Sequence, residues 1–196
     1  MSETIIMTKE HDNHSISIEP AVPEDAEAVC DVLRQTWLDT YPNEEAGITR
    51  KDIKLRIEGV NGERIPKNIE RWRKSIETTD GTRAVYVARI DGKVSGVVAP
   101  GFIDGQRRIG AIYMLPEAQG KGIGSQLMQK ALEWHGDKED IYLLVATYNQ
   151  NAIDFYKRFG FEQTDNPVVD KGDVYGNTQI PEIEMVRKAP TPSTTP

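Results

Sequence analysis

Alternation and helical periodicity divide the chain into a short series of elements. SISIEP (15–20) alternates polar and apolar residues and reads as a first strand, and Pro23-Glu24-Asp25 opens a helix with Ala26, Val29, Leu33 and Trp37 along one stripe. Residues 42 to 80 hold two amphipathic stretches, one carrying Ile53 and Ile57 and the other Ile69, Trp72 and Ile76, with the breakers Gly59, Gly62 and Pro66 between them. AVYVARI, VSGVVAPGFI and RRIGAIYML follow, joined by the turn signals Asp91-Gly92 and Asp104-Gly105, so an antiparallel meander is predicted. Beyond it the pattern gives a helix with Leu127, Ala131 and Trp134, the strand IYLLVA, and a helix carrying Ala152, Phe155, Tyr156 and Phe159. A short strand after Gly160 and a final strand around IPEIEMVR complete the order. Residues 1 to 14 read as a flexible tail and APTPSTTP (189–196) as a disordered one, leaving one domain over 15 to 188.

The most informative stretch is IGAIYMLPEAQGKGIG (109–124), where an apolar strand gives way to Gly120, Gly122 and Gly124 and then directly to a helix. The first N–H groups of a helix lack internal acceptors and carry partial positive charge, and glycine lets a ligand approach the main chain closely. A diphosphate-bearing ligand is therefore expected. No Walker loop matches, because Gly120-Lys121 has no glycine at the required distance upstream, and the dinucleotide pattern fails because Leu127 stands where its third glycine belongs. What the residues do give is Gln119-x-x-Gly122-x-Gly124.

Composition narrows the classes. At 196 residues the chain is long enough for a core of its own, and no second domain is suggested. The net charge of −7 argues against nucleic acid as a partner. Much of the excess lies within residues 1 to 35, whereas acids and bases nearly balance over 42 to 80, so a cationic amine substrate is permitted without being specified. The lone Cys30 excludes an internal disulfide, and no apolar run approaches the ~18 residues of a membrane span, so a reducing, cytoplasmic setting without membrane contact is expected. His11, His14 and His135 have no metal-ligand spacing, and no metal is predicted.

At Gln119-x-x-Gly122-x-Gly124 the chain resembles the GNAT superfamily of acetyl-CoA-dependent N-acetyltransferases. A second block, VATYNQNAIDFYKRFGFE from Val145, resembles the other half of that family's cofactor site, with Asn149, Ala152, Phe155-Tyr156 and Gly160-Phe161 at its spacing. The resemblance covers roughly residues 16 to 187, and only 109 to 161 carries specific motifs. It implies an α+β fold with a central mixed sheet of about seven strands flanked by helices. A V-shaped cleft should open where the strands ending near Leu115 and Ala146 part.

In this family pattern acetyl-CoA is the co-substrate, bound by Met114, Leu115, Gln119, Gly120, Lys121, Gly122, Ile123, Gly124, Ser125 and Asn149, and its acetyl group moves to a primary amine. That acceptor is a small molecule, polyamine or peptide, and the chain acts as a monomer or homodimer. Tyr156 matches the family's proton donor beside the sulfur, and a phenol of ordinary pKa ~10 stays protonated at neutral pH. By periodicity alone it is part of an aromatic helix face with Phe155 and Phe159. Asn149 either bonds the pantetheine arm or caps the next helix. Trp37 and Tyr41 either pack the core or, with Tyr113, wall the acceptor site, and Lys121 either meets a phosphate or is solvated. Arg107 and Arg108 read as solvated residues at a strand entrance.

Some members of the family place a glutamate in the fifth strand just before the position of Val145, where this chain has Leu144. The general base is therefore open among an ordered water, Tyr113, Asp39 and Glu44. Two alternatives stand beside acetyl transfer: a catalytically weak CoA-binding sensor, and a transferase for a longer acyl group.

Overall fold

The computed structural model describes residues 5–6, 14–170 and 179–190. Its strands are β1 (Ile5–Ile6), β2 (Ile16–Pro20), β3 (Tyr86–Ile90), β4 (Lys93–Ile103), β5 (Gln106–Met114), β6 (Ile141–Ala146), β7 (Glu162–Gln163), β8 (Val169–Asp170) and β9 (Pro181–Arg187). Its helices are α1 (Ala26–Thr40), α2 (Arg50–Glu58), α3 (Arg64–Glu77), α4 (Ile123–His135) and α5 (Gln150–Lys157). The sheet runs β1-β2-β3-β4-β5-β6-β9-β7, with β8 also on β9, so the expected seven or so strands become nine because two further two-residue strands, β1 and β8, join it. Ile5 and Ile6 of the expected tail pair with Ile18 and Ser17; the rest of residues 1–13, with His11, and residues 191–196 of the other tail lie outside the described residues.

Local chemistry accounts for most element boundaries. Both hairpins of the meander turn through two residues, Asp91-Gly92 and Asp104-Gly105, whose φ angles are all positive, as the turns that match strand twist require. Thr49 and Asp52 cap α2 reciprocally, Asp52 N–H donating to Thr49 Oγ1 at 3.2 Å and Thr49 N–H to Asp52 Oδ2 at 2.9 Å. Before α1, Asp25 receives the Val22 N–H at 3.0 Å and both of its oxygens accept from Arg89 Nη2, while Arg89 Nε donates to Glu19. This triad ties the start of α1 to β2 and β3.

The sheet separates two apolar layers. On one side α4 and α5 bury Leu127, Met128, Ala131 and Ile153 against Leu143, Val145 and Met185. On the other, Val29 and Val32 of α1 pack on Val87 and Val97, with Trp72 and Ile76 of α3 completing the layer. The predicted α1 stripe is shifted: Ala26, Val29, Val32, Thr36 and Leu38 are buried, whereas Leu33 and Trp37 are half-buried.

Every strand pairing is antiparallel except β5 with β6, and that one is brief, joining Arg107 to Ile141 and Arg108 to Tyr142. Beyond Arg108 the two strands diverge, β5 staying with β4 and β6 with β9. A register shift opposite Ala99 and Pro100 leaves Gly110 as an extra residue in β5 at the divergence, and such a bulge bends its strand. The reading of Arg107 and Arg108 as merely solvated is corrected here. Arg107 donates to the His135 carbonyl at 2.6 Å and to Glu139 at 2.9 Å, and Arg108 donates to Glu184 of β9 at 2.6 Å, so the two guanidiniums clamp the closed end of the V. Spacing did not reveal this, because their partners come from α4, the loop after it and a strand 76 residues away.

Two predictions follow from buried charge. Replacing Arg89 with Met strands Asp25 and Glu19 and should cost about 3 kcal/mol in chemical denaturation, with part of it regained when Asp25→Asn is added. His135, whose Nε2–H donates to the Arg108 carbonyl at 3.0 Å, is buried, and burial followed by the Arg107 charge pushes its pKa below the ordinary value. Its folded pKa lies under its unfolded value of about 6.5, so its contribution is complete above that pH and lost as pH falls through and below it. Stability measured from about pH 7.5 to 5 should fall less steeply in His135→Gln than in the wild type.

Candidate functional site

The divergence of β5 and β6 opens a cleft of about 680 Å³ bordered by both strands, the glycine loop and α5. β5 contributes residues 109–114 and β6 contributes Leu144 and Val145. At one end lies the N-terminus of α4, where Gly122 occupies the cap position in the left-handed region at φ 76° and Gly120 precedes it at φ 73°. Gly122 offers no side-chain oxygen, so the first amides of α4 receive no side-chain cap, in contrast to those of α2 and α5. Gln119, Gly120, Gly122, Gly124 and Ser125 all border the cleft. The second motif meets the first across the gap: the Met114 side chain lies against Gly124, where an added methyl would fall 2.7 Å from Met114 Cε and 3.6 Å from Phe155.

Other sequence-selected residues are placed differently. The side chains of Leu115, Lys121 and Ile123 do not border the cleft; Ile123 is fully buried in the core, and the Leu115 N–H donates to the Ser95 carbonyl at 2.9 Å. Asn149 borders the cleft while its Oδ1 accepts the Ala152 N–H at 3.2 Å, so this oxygen caps α5. The cation at the cleft margin is Arg158, whose guanidinium lies 5.5 Å from the Phe155 ring centre.

Tyr156 projects from α5 into the cleft, 8% exposed and packed edge-on to Phe155 and Phe161. The aromatic helix face and the cleft position are thus properties of one side chain. Burial first, then Tyr113 and Glu182, push its pKa well above the ordinary phenol value, which keeps its proton in place at neutral pH. Near it the Tyr41 and Tyr113 hydroxyls lie 3.3 Å apart, and the Tyr148 hydroxyl donates to the Tyr41 carbonyl at 2.9 Å. Trp37 stacks edge-on against Tyr41 with centroids 4.8 Å apart and lies 6.3 Å from Tyr113, so it supports both tyrosines without bordering the cleft. Burial raises Tyr41 and Tyr113 as well.

Of the carboxylates considered as bases, Asp39 borders the cleft and accepts from Arg50 at 3.1 Å, while Glu44 is exposed and away from it. Burial raises the pKa of Tyr41, Tyr113, Tyr148 and Tyr156, and Glu182, which the sequence reading passed over, adds a smaller contribution in the same direction at each. Its signal was present in IPEIEMVR: Glu182 and Glu184 alternate with apolar residues on a strand that carries neighbours on both sides. Among the described residues no cluster of His, Cys, Asp and Glu is arranged to hold a metal, and no helix is long and apolar enough to cross a membrane.

The acetyltransferase (GNAT) family model matches residues 32–161 of the chain. The chain belongs to the GNAT family. An uncharacterised N-acetyltransferase of Archaeoglobus fulgidus is 37% identical over 99 residues, covering 46% of this chain and 65% of the relative. An N-alpha-acetyltransferase of Sulfurisphaera tokodaii is 32% identical over 95 residues, covering 41% of this chain and 57% of the relative. This GNAT chain thus spans less than two thirds of either relative. The PaiA N-acetyltransferase of Thermoplasma acidophilum, solved with coenzyme A, shares the fold with a TM-score of 0.60 and 24% identity, over 89% of this chain and 99% of that one.

The crowding at Gly124 gives a prediction. Gly124→Ala displaces only the flexible end of Met114, so the protein should still fold, while the displaced thioether narrows the cleft and weakens coenzyme A binding about tenfold by calorimetry, roughly 1.4 kcal/mol. Unaltered affinity would show that Met114 moves away from the bound molecule.

Proposed function

We propose that the chain transfers the acetyl group of acetyl-CoA to a primary amine by direct attack within a ternary complex. The observation that carries this reading is the uncapped N-terminus of α4 facing the same cleft as the Tyr156 hydroxyl. The amides from Gly120 to Ser125 suit a pyrophosphate, and Arg158 suits a further phosphate at the margin. Between these groups and Tyr156, the edge of β5 past Arg108 has no strand partner on the β6 side, so its main-chain groups are positioned to pair with an extended pantetheine arm. The Met114 main chain lies at the end of that edge, beside the thioester carbonyl in this reading.

Transfer requires three things of these residues. The amine nitrogen attacks the carbonyl carbon and forms the C–N bond, the carbonyl oxygen carries the negative charge meanwhile, and the C–S bond breaks. Tyr156 gives its proton to the departing sulfur while the proton that nitrogen sheds passes to solvent, a role suited to a buried phenol that keeps its hydrogen near neutrality. The aromatic wall of Tyr41 and Tyr113 borders the place where the acceptor nitrogen must arrive. The name of the Sulfurisphaera relative keeps peptide α-amines among the candidate acceptors beside small amines.

Coenzyme A should give a saturable heat of binding, and thiol release from acetyl-CoA should depend on an added amine when propylamine, spermidine and a short peptide are tried. Tyr156→Phe should lower kcat about 100-fold while the coenzyme A dissociation constant changes by less than about threefold. Full activity in that variant removes Tyr156 from the chemistry. Tight binding of coenzyme A without thiol release over the whole panel favours a sensor.

A further inference from the structure

The helices α1, α2 and α3 do not close fully on one another. Ile65, Ile69, Trp72 and Ile76 make one apolar face of α3, yet none of them is fully buried. Between the three helices lies a second cavity, of about 260 Å³, separated from the cleft by Trp37. Trp37 borders this cavity and not the cleft, whereas Tyr41 and Tyr113, against which it packs, border the cleft and not the cavity. The apolar walls are Leu33 and Trp37 of α1, Ile57 of α2, and Ile65, Ile69 and Trp72 of α3, each half-buried. Such open apolar surface favours a ligand that covers it, and the volume, just under the range for drug-sized molecules, admits one aromatic or branched side chain.

The mouth of the cavity carries both signs of charge. Arg34 is held by Glu58 at 2.5 Å, Arg56 lies 5.5 Å from the Trp37 ring centre, and Arg64 is engaged as well. Asn68 donates to the Ile57 carbonyl at 2.9 Å. By contrast Glu27 and Asp31, one turn apart on α1, and Arg71 on the facing α3 form no hydrogen bond or ion pair among the described residues. All three act electrostatically on Cys30, which also borders the cavity, so they converge on one mouth.

We propose that this cavity is a second ligand site, taking a hydrophobic α-amino acid. Its side chain enters among Trp37, Ile69 and Trp72, its ammonium meets Glu27 and Asp31, and its carboxylate meets the Arg71 guanidinium. A bound side chain also packs the open part of Trp37, which steadies Tyr41 and Tyr113 across the partition and prepares the tyrosine end of the cleft for an acceptor. The binding stands apart from the acetyl-transfer reading; its effect on the acceptor rests on that reading.

Calorimetry with L-phenylalanine should show saturable binding with a dissociation constant on the order of 1 mM or below. 3-Phenylpropionate, which lacks the ammonium, and phenethylamine, which lacks the carboxylate, should each bind about fivefold more weakly or worse. Arg71→Gln should weaken phenylalanine about fivefold and leave phenethylamine unaffected, and Ile69→Trp, which fills the cavity, should abolish binding. Arg71 does not border the cleft, so coenzyme A affinity and turnover of propylamine alone should be unchanged in Arg71→Gln. In the wild type, saturating phenylalanine should lower the KM for propylamine about threefold, read as N-propylacetamide formed, and Arg71→Gln should require more phenylalanine for the same effect. No saturable heat up to about 20 mM, equal affinity for all the probes, or undiminished binding in both variants overturns the site. An unchanged KM overturns the effect through Trp37, and a raised one overturns it equally, because phenylalanine would then be competing within the cleft. Binding of phenylalanine by a wild-type protein that forms no N-propylacetamide overturns the acetyl-transfer reading and the effect resting on it, and the site is then decided by calorimetry alone.

Discussion

The architecture depends on a parallel strand pair that is allowed to form for only two residues. Sheet hydrogen bonding is cooperative and would ordinarily continue, so parting β5 from β6 requires that each find another partner and that the junction be held firmly. β4 and β9 supply the partners, the extra residue at Gly110 bends β5, and the Arg107 and Arg108 guanidiniums hold the apex to α4 and β9. Both arginines are largely withdrawn from solvent, with side chains 20% and 17% exposed, and Glu184 is 8% exposed, so this clamp operates where charge pairing is less weakened by water. Everything that borders the cleft inherits its position from that junction.

Elements governed by local chemistry were legible in the sequence. The meander followed from two Asp-Gly turns between alternating runs, and the helix after the glycine loop from its apolar spacing; the two matched motifs indicated the family. Residues whose surroundings are assembled from distant segments were not legible. Arg107 and Arg108 looked like surface charge because their partners are remote in the chain, and Lys121 beside Gly120 does not border the cleft whereas Arg158 does, because adjacency in sequence says nothing about which way a side chain leaves its loop. Asn149 could be read as cap or as cleft residue, and the folded chain has it capping α5 from the cleft margin.

The cleft joins two unlike environments. Its glycine end offers main-chain donors at a helix terminus, favourable to negative charge. Its tyrosine end is lined with phenols that burial keeps protonated. The half-buried Trp37 stands behind two of the phenols and limits how far they can rotate, so this end of the cleft is stiffened from α1.

Gly122 has one further consequence. A serine or aspartate at the head of α4 would complete that helix from within, whereas glycine leaves its first turn to be finished by whatever anion arrives. Occupancy then becomes part of secondary structure: a saturated molecule should resist local fraying, proteolysis and heat better than a starved one, in proportion to how far ligand concentration exceeds its dissociation constant. The supply of any anion that binds there would thereby influence how long the polypeptide itself survives.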